Sequence, residues 1–125
     1  MLRARYYFKH VDSLGQKVCV LGKPAIHNWG EMHIGERATI ATTELVADDG
    51  TLEIGNRTYI NYGCSISASQ LVCIGPDYNI GTYAIILDND LHSLEPERRN
   101  ERPEPAPIIL EENVWLGGRV IVLRA

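Results

Sequence analysis

Rings are scarce in this chain of 125 residues, which has one Phe, two Trp and six Tyr. With so few of them, the core of a domain this small has to be aliphatic. Cysteine is scarce as well. Cys19, Cys64 and Cys73 form no CxxC and cannot all pair. That spacing excludes a disulfide framework and fits a reducing, cytoplasmic setting. Positive charge is not in excess: 12 Lys and Arg stand against 16 Asp and Glu, for a net charge of -4. Such a balance leaves no electrostatic footprint for a nucleic acid. Long apolar runs are missing, so no segment is expected to span a bilayer. The opening MLRARYYFKHVD has basic residues but no apolar stretch behind them, unlike a secretory leader.

What the chain does have is a beat. Aliphatic residues recur at intervals of six, six and eight through Leu14, Val20, Ile26, then Ile34, Ile40, Val46, then Ile54, Ile60, Ile66, then Ile74, Ile80, Ile86. The run resumes at Leu110, Leu116 and Val122. Glycine follows the first member of four triplets, as Gly15, Gly35, Gly55 and Gly75. A fixed period near twenty marks a solenoid whose stacked coils share one core. Each hexad reads as a short strand and a tight corner, so one coil is a triangle with the repeating aliphatic pointing inward. Met32, Leu52, Val72 and Ile108 lie two places before a repeat residue, and in a strand they share its face. An amphipathic helix fails as a rival, because a spacing of six does not hold one helical face.

The beat breaks once. Twenty-four residues separate Ile86 from Leu110 where eight are expected. The intervening segment, about 88–107, holds four of the six prolines and many charges, which resist incorporation into a sheet. It reads as a loop thrown out from one corner of an all-β solenoid whose coils occupy 14–88 and 108–125. Residues 1–13 precede the repeat and are expected to cover the first coil. The chain stops in mid-coil at Arg124-Ala125, which leads us to expect a C-terminally truncated form or a partner over that end.

With these features the sequence resembles the hexapeptide-repeat acyltransferases, whose fold is a left-handed parallel β-helix. It is most similar to sugar O-acetyltransferases of the galactoside and maltose type and to acyltransferases of polysaccharide synthesis. LGKPAIHNWGEMHIGERATI resembles the opening coil of the latter. INYGCSI resembles the acceptor-side strand, ILDNDLH with its proline-rich sequel the catalytic loop, and APIILEENVWLGGRVIVLRA the coil that follows. The resemblance implies transfer of an acetyl group from acetyl-CoA to a sugar or glycan hydroxyl, with no metal. His92 then matches the catalytic histidine. Imidazole, with an unperturbed pKa of about 6.5, suits a general base near neutrality. Asp88 or Asp90 would fix its tautomer, and the sequence does not say which. Asn61 matches the asparagine that contacts the acceptor. It follows an inward Ile60 and is expected to point outward on its strand. Trp115 and Gly118 match positions that pack the pantetheine arm and donate a backbone N–H toward the thioester. The resemblance also implies a homotrimer with sites between subunits. In the family the nucleotide end of CoA is held largely by later coils, and those are absent from this sequence.

Other readings stand beside this one. Arg98, Arg99 and Arg102 are interleaved with Glu95, Glu97, Glu101 and Glu104, the pattern of a solvated mixed-charge loop. Cys64 and Cys73 read as structural. The chain could be a non-catalytic solenoid acting in assembly, or an N-acetyltransferase of an amino sugar. A zinc hydratase of the γ-carbonic anhydrase type would need three converging histidines among His10, His27, His33 and His92.

Overall fold

In a computed structural model of the protein, residues 2–90, 95–101 and 103–124 are described. His92 lies outside them. Among the described residues, fifteen short strands follow one N-terminal helix, α1 (Leu2–Tyr7). They form three parallel five-stranded sheets. The first face of the prism stacks β1 (Ser13–Leu14), β4 (Glu31–Ile34), β7 (Thr51–Ile54), β10 (Leu71–Ile74) and β13 (Ile108–Leu110). The second stacks β2 (Cys19–Leu21), β5 (Thr39–Ala41), β8 (Tyr59–Ile60), β11 (Asn79–Ile80) and β14 (Trp115–Leu116). The third stacks β3 (Ala25–Asn28), β6 (Glu44–Ala47), β9 (Ser65–Ala68), β12 (Ile85–Leu87) and β15 (Ile121–Leu123). The architecture is an all-β, left-handed parallel β-helix.

The aliphatic columns stand where the beat places them. Ile34, Ile54 and Ile74 pair in register, as do Ile40, Ile60 and Ile80, and all six side chains are buried. Met32, Leu52, Val72 and Ile108 form a second inward column on the first face. Each buried aliphatic contributes about 2 kcal/mol.

One position of the beat is corrected. Val46 does not point inward; Leu45 does. Leu45 is fully buried and pairs with Ile26 on one side and Ile66 on the other. The connection from β5 to β6 is only Thr42-Thr43, one residue short. The next connection, 48–50, has one residue more than its counterparts 29–30 and 69–70 and turns through Asp49 at φ 59°. The two errors cancel, so the twenty-residue period survives and hides the slip.

The three prism edges differ. The first edge, joining first face to second, is the same in every coil: residues 15–18, 35–38, 55–58, 75–78 and 111–114. Its third residue is left-handed each time, at Lys17, Arg37, Arg57, Asp77 and Asn113. Its first residue is glycine in four coils. A Cβ on Gly55 would sit 2.5 Å from the carbonyl carbon of Gly75 in the next coil, so the coils close tightly only without one. The second edge changes length between coils. The third edge releases the 88–107 segment.

α1 is too short to be stable alone. It is held by burial of Ala4 and Phe8 in the core beside Val18 and Val20, and by the Arg3 guanidinium donating to the carbonyls of Val20 and Gly22.

Candidate functional site

The third edge explains where the protruding segment leaves. In the lower coils, corner N–H groups are met by carbonyls of the coil above: Trp29 donates to Ala47, Glu31 to Gly50, Asp48 to Ala68 and Thr51 to Gln70. Above residues 69–71 there is no such corner, because the chain departs after Leu87. Asp88 supplies the missing acceptors. Its Oδ1 accepts from the Ser69 N–H at 2.7 Å, and its Oδ2 from Gln70 at 2.7 Å and Leu71 at 2.9 Å. The side chain is fully buried. Its own carbonyl accepts from the Ala106 N–H at 3.1 Å, which closes the base of the loop. Asn89, also buried, donates from Nδ2 to Ser69 Oγ at 2.6 Å.

Asp90 is exposed and pairs with Arg124, 2.7 Å from Nη2 and 2.9 Å from Nε. The pair ties the loop base to the last coil. Farther along, Arg98 lies between Glu95 at 3.7 Å and Glu101 at 2.9 Å. The mixed charges there neutralise one another at the surface.

Asn61, Gly118 and Trp115 group at the second edge and beside it. Asn61 is not on a strand, as β8 ends at Ile60. It is the first corner residue, with its N–H on the Ile80 carbonyl and its Oδ1 accepting from the Tyr62 N–H at 2.8 Å. Gly118 occupies the same edge two coils on and is exposed. A Cβ on its neighbour Gly117 would meet nothing within 4 Å. Trp115 stands on the outer side of the second face opposite Asn79, with 77% of its surface exposed.

Two groups of expected site residues thus lie at opposite margins of the third face, which is three to four residues wide. At ~3.3 Å per residue that is about 10–13 Å. Within one chain the Asn61–Gly118 edge and the Asp88–Asp90 edge are not brought together.

The other titratable residues sit apart. His27 is on the third face, stacked on Trp29 at 5.6 Å. His33 is on the first, with Nδ1 2.7 Å from Ser13 Oγ and Nε2 3.4 Å from Glu31. Among the described residues no group of three His, Cys, Asp or Glu could hold a metal ion. Cys64 is buried with its Sγ on the Gly81 carbonyl, and burial pushes its thiol pKa up. Burial, then the neighbouring Glu53, does the same for Cys73. Neither is a poised thiolate. No described helix is long and apolar enough to cross a membrane.

Two residues at this site were not expected to act structurally. The sequence points to Asp88 and Asp90 as substrate-side residues, either of them a partner for His92, and says nothing of Asn89. A signal was present: an Asp-Asn pair falls where the beat stops, at the point where a coil below loses its acceptors.

No model of a known protein family matches the chain, and no solved structure matches it. What stands is therefore the fold alone, a left-handed parallel β-solenoid of hexad repeats.

Proposed function

We propose that this protein is an acetyl-CoA-dependent O-acetyltransferase acting on a sugar or glycan precursor, with His92 as general base. The observation that carries the reading is a hexad prism broken once, at the third edge, where buried Asp88 fixes the departure of the segment that contains His92. A thioester is already activated, so no enzyme nucleophile is needed. The acceptor hydroxyl attacks the thioester carbonyl while His92 takes its proton. The backbone N–H of Gly118 donates to the developing oxyanion. Collapse breaks the C–S bond, and the CoA sulfur leaves with the proton returned by His92. Trp115 offers a flat apolar surface for the pantetheine arm.

The separation of the second and third edges argues for a site shared between copies of the chain, and a homotrimer satisfies this. The three free cysteines fit a cytoplasmic enzyme.

A second reading, a non-catalytic solenoid acting in assembly, is favoured by one observation. Both Asp88 oxygens are engaged by backbone and Asp90 is paired with Arg124, so among the described contacts neither carboxylate is free to orient His92. Thiol release from acetyl-CoA with a panel of glycosides separates the two. The enzyme reading expects turnover that falls at least ~100-fold in His92→Ala. Thiol release no faster than the protein-free background in either protein would establish the second reading.

A further inference from the structure

The second edge carries a side-chain cluster that the acyl-transfer scheme leaves unused. Tyr62 and Tyr83 meet edge to face, with ring centroids 5.6 Å apart and planes at 86°. The Arg119 guanidinium lies over the Tyr83 ring, 5.4 Å from its centroid. All three are exposed.

The arrangement has the marks of a built feature. Tyr83 holds φ at 58°, in the left-handed region that bulky side chains avoid. Among the described residues, every other non-glycine with positive φ is Lys, Arg, Asp or Asn. One coil below, a Cβ on Gly63 would lie 2.6 Å from the Tyr83 ring, so the ring rests where only glycine leaves room. Tyr83 is thus seated over one coil and carries the Arg119 side chain of the next. Among the described residues Arg119 has no ion pair or hydrogen bond through its guanidinium. The ring fixes the plane of the cation and leaves its N–H groups unspent.

We propose that Arg119, set in place by Tyr83 as a positioning residue, anchors an anionic group of a co-substrate lying along the second edge. The inference rests on the acyl-transfer reading, since it places the anion beside Gly118 and on the same edge as Asn61. A planar guanidinium with free N–H donors takes two oxygens of a carboxylate or phosphate at once. Stacking on an aromatic ring removes the freedom such a long side chain would otherwise lose on binding. The group is either a carboxylate or phosphate on the acceptor sugar, or a phosphate of acetyl-CoA.

Calorimetric titration of the full chain distinguishes the sources without needing turnover. The probes are acetyl-CoA, a neutral glucoside and the matching glucuronide. Arg119→Gln should weaken one of the two anionic probes at least tenfold and leave the neutral glucoside unchanged. Loss for the glucuronide alone assigns the anion to the acceptor; loss for acetyl-CoA alone assigns it to the donor. Tyr83→Gly, which keeps the left-handed backbone, should reproduce the loss. Tyr83→Phe, which keeps the ring, should bind as the unaltered protein does. The proposal is overturned if Arg119→Gln changes neither affinity, or if the unaltered protein binds neither anionic probe. It is also overturned if Tyr83→Gly alters only the oligomeric state, which would make the cluster a subunit contact. Arg119-dependent binding without thiol release would sustain the anchor and remove the acyl-transfer reading instead.

Discussion

The first prism edge and the other two obey different rules. On the first, every coil uses the same four-residue corner with a left-handed third residue. On the second and third, length and composition change from coil to coil. There the chain drops a residue at Thr42-Thr43, adds one at Asp49, seats Tyr83 over Gly63, and throws out the 88–107 segment. An edge that repeats is set by the stacking of like corners. Residues free of stacking can be spent on a ligand, and the residues matched to chemistry lie on the irregular edges or beside them.

Substitutions can break this contrast, and the largest effect is expected in the core behind the second edge. Leu45→Ala should cost about 4 kcal/mol, while Val46→Ala should cost under ~1 kcal/mol. Equal losses in chemical denaturation would restore the unshifted beat and abolish the slip. Asp88→Ala comes next. It leaves three part-buried N–H groups without their carboxylate acceptor and should cost about 3 kcal/mol. A neutral result would mean that water replaces the carboxylate and that the third edge is not clamped.

Glycines then provide a matched pair. Gly55→Ala on the first edge drives a Cβ into the Gly75 backbone and should cost about 2 kcal/mol. Gly117→Ala, whose Cβ meets nothing within 4 Å, should change stability by less than ~0.5 kcal/mol. Similar losses at both would show that contact with the backbone of the neighbouring coil does not set the cost.

The smallest effect concerns acid. The Arg57 guanidinium, 2.7 Å away, holds the Asp77 carboxyl below its ordinary range. The Met32 N–H, then the Asn28 side chain, lowers Asp12 likewise. A depressed carboxylate pKa contributes stability above the unfolded value of about 4, and that contribution is lost as the pH falls through the folded value. Melting temperature should therefore be level near neutrality and decline below about pH 4. Asp77→Asn should flatten part of that decline; an unaltered slope would show that the pair contributes nothing.

Much of the fold was legible because burial imposes a period. A side chain such as Ile54 can face the axis only if its neighbours in adjacent coils do too, so the columns print themselves on the sequence. The slip at Leu45 was hidden because one short connection and one long one sum to the same twenty residues. α1 left no signal, since six residues carry no usable helical period and its stability comes from Phe8 and Ala4 packing on the first coil. At the candidate site, Trp115 and Gly118 could be picked out by resemblance. Asp88 stands out in the sequence as a partner for His92, yet its bonds are to the backbone of a coil seventeen to nineteen residues earlier. Bonds of that kind depend on which coil lacks a neighbour, and no residue type announces it. The Tyr83–Arg119 stack was missed for the same reason, as it joins residues far apart in sequence that only the stacking of coils makes neighbours.

The central claim is that chemistry belongs to the irregular edges and structure to the regular one. It is tested most directly by acceptor-dependent thiol release from acetyl-CoA in three proteins: unaltered, His92→Ala, and Arg37→Gly on the first edge. The account predicts turnover in the first, loss in the second and an unchanged rate in the third. Turnover that survives in His92→Ala, or that disappears in Arg37→Gly while the protein stays folded, would contradict it.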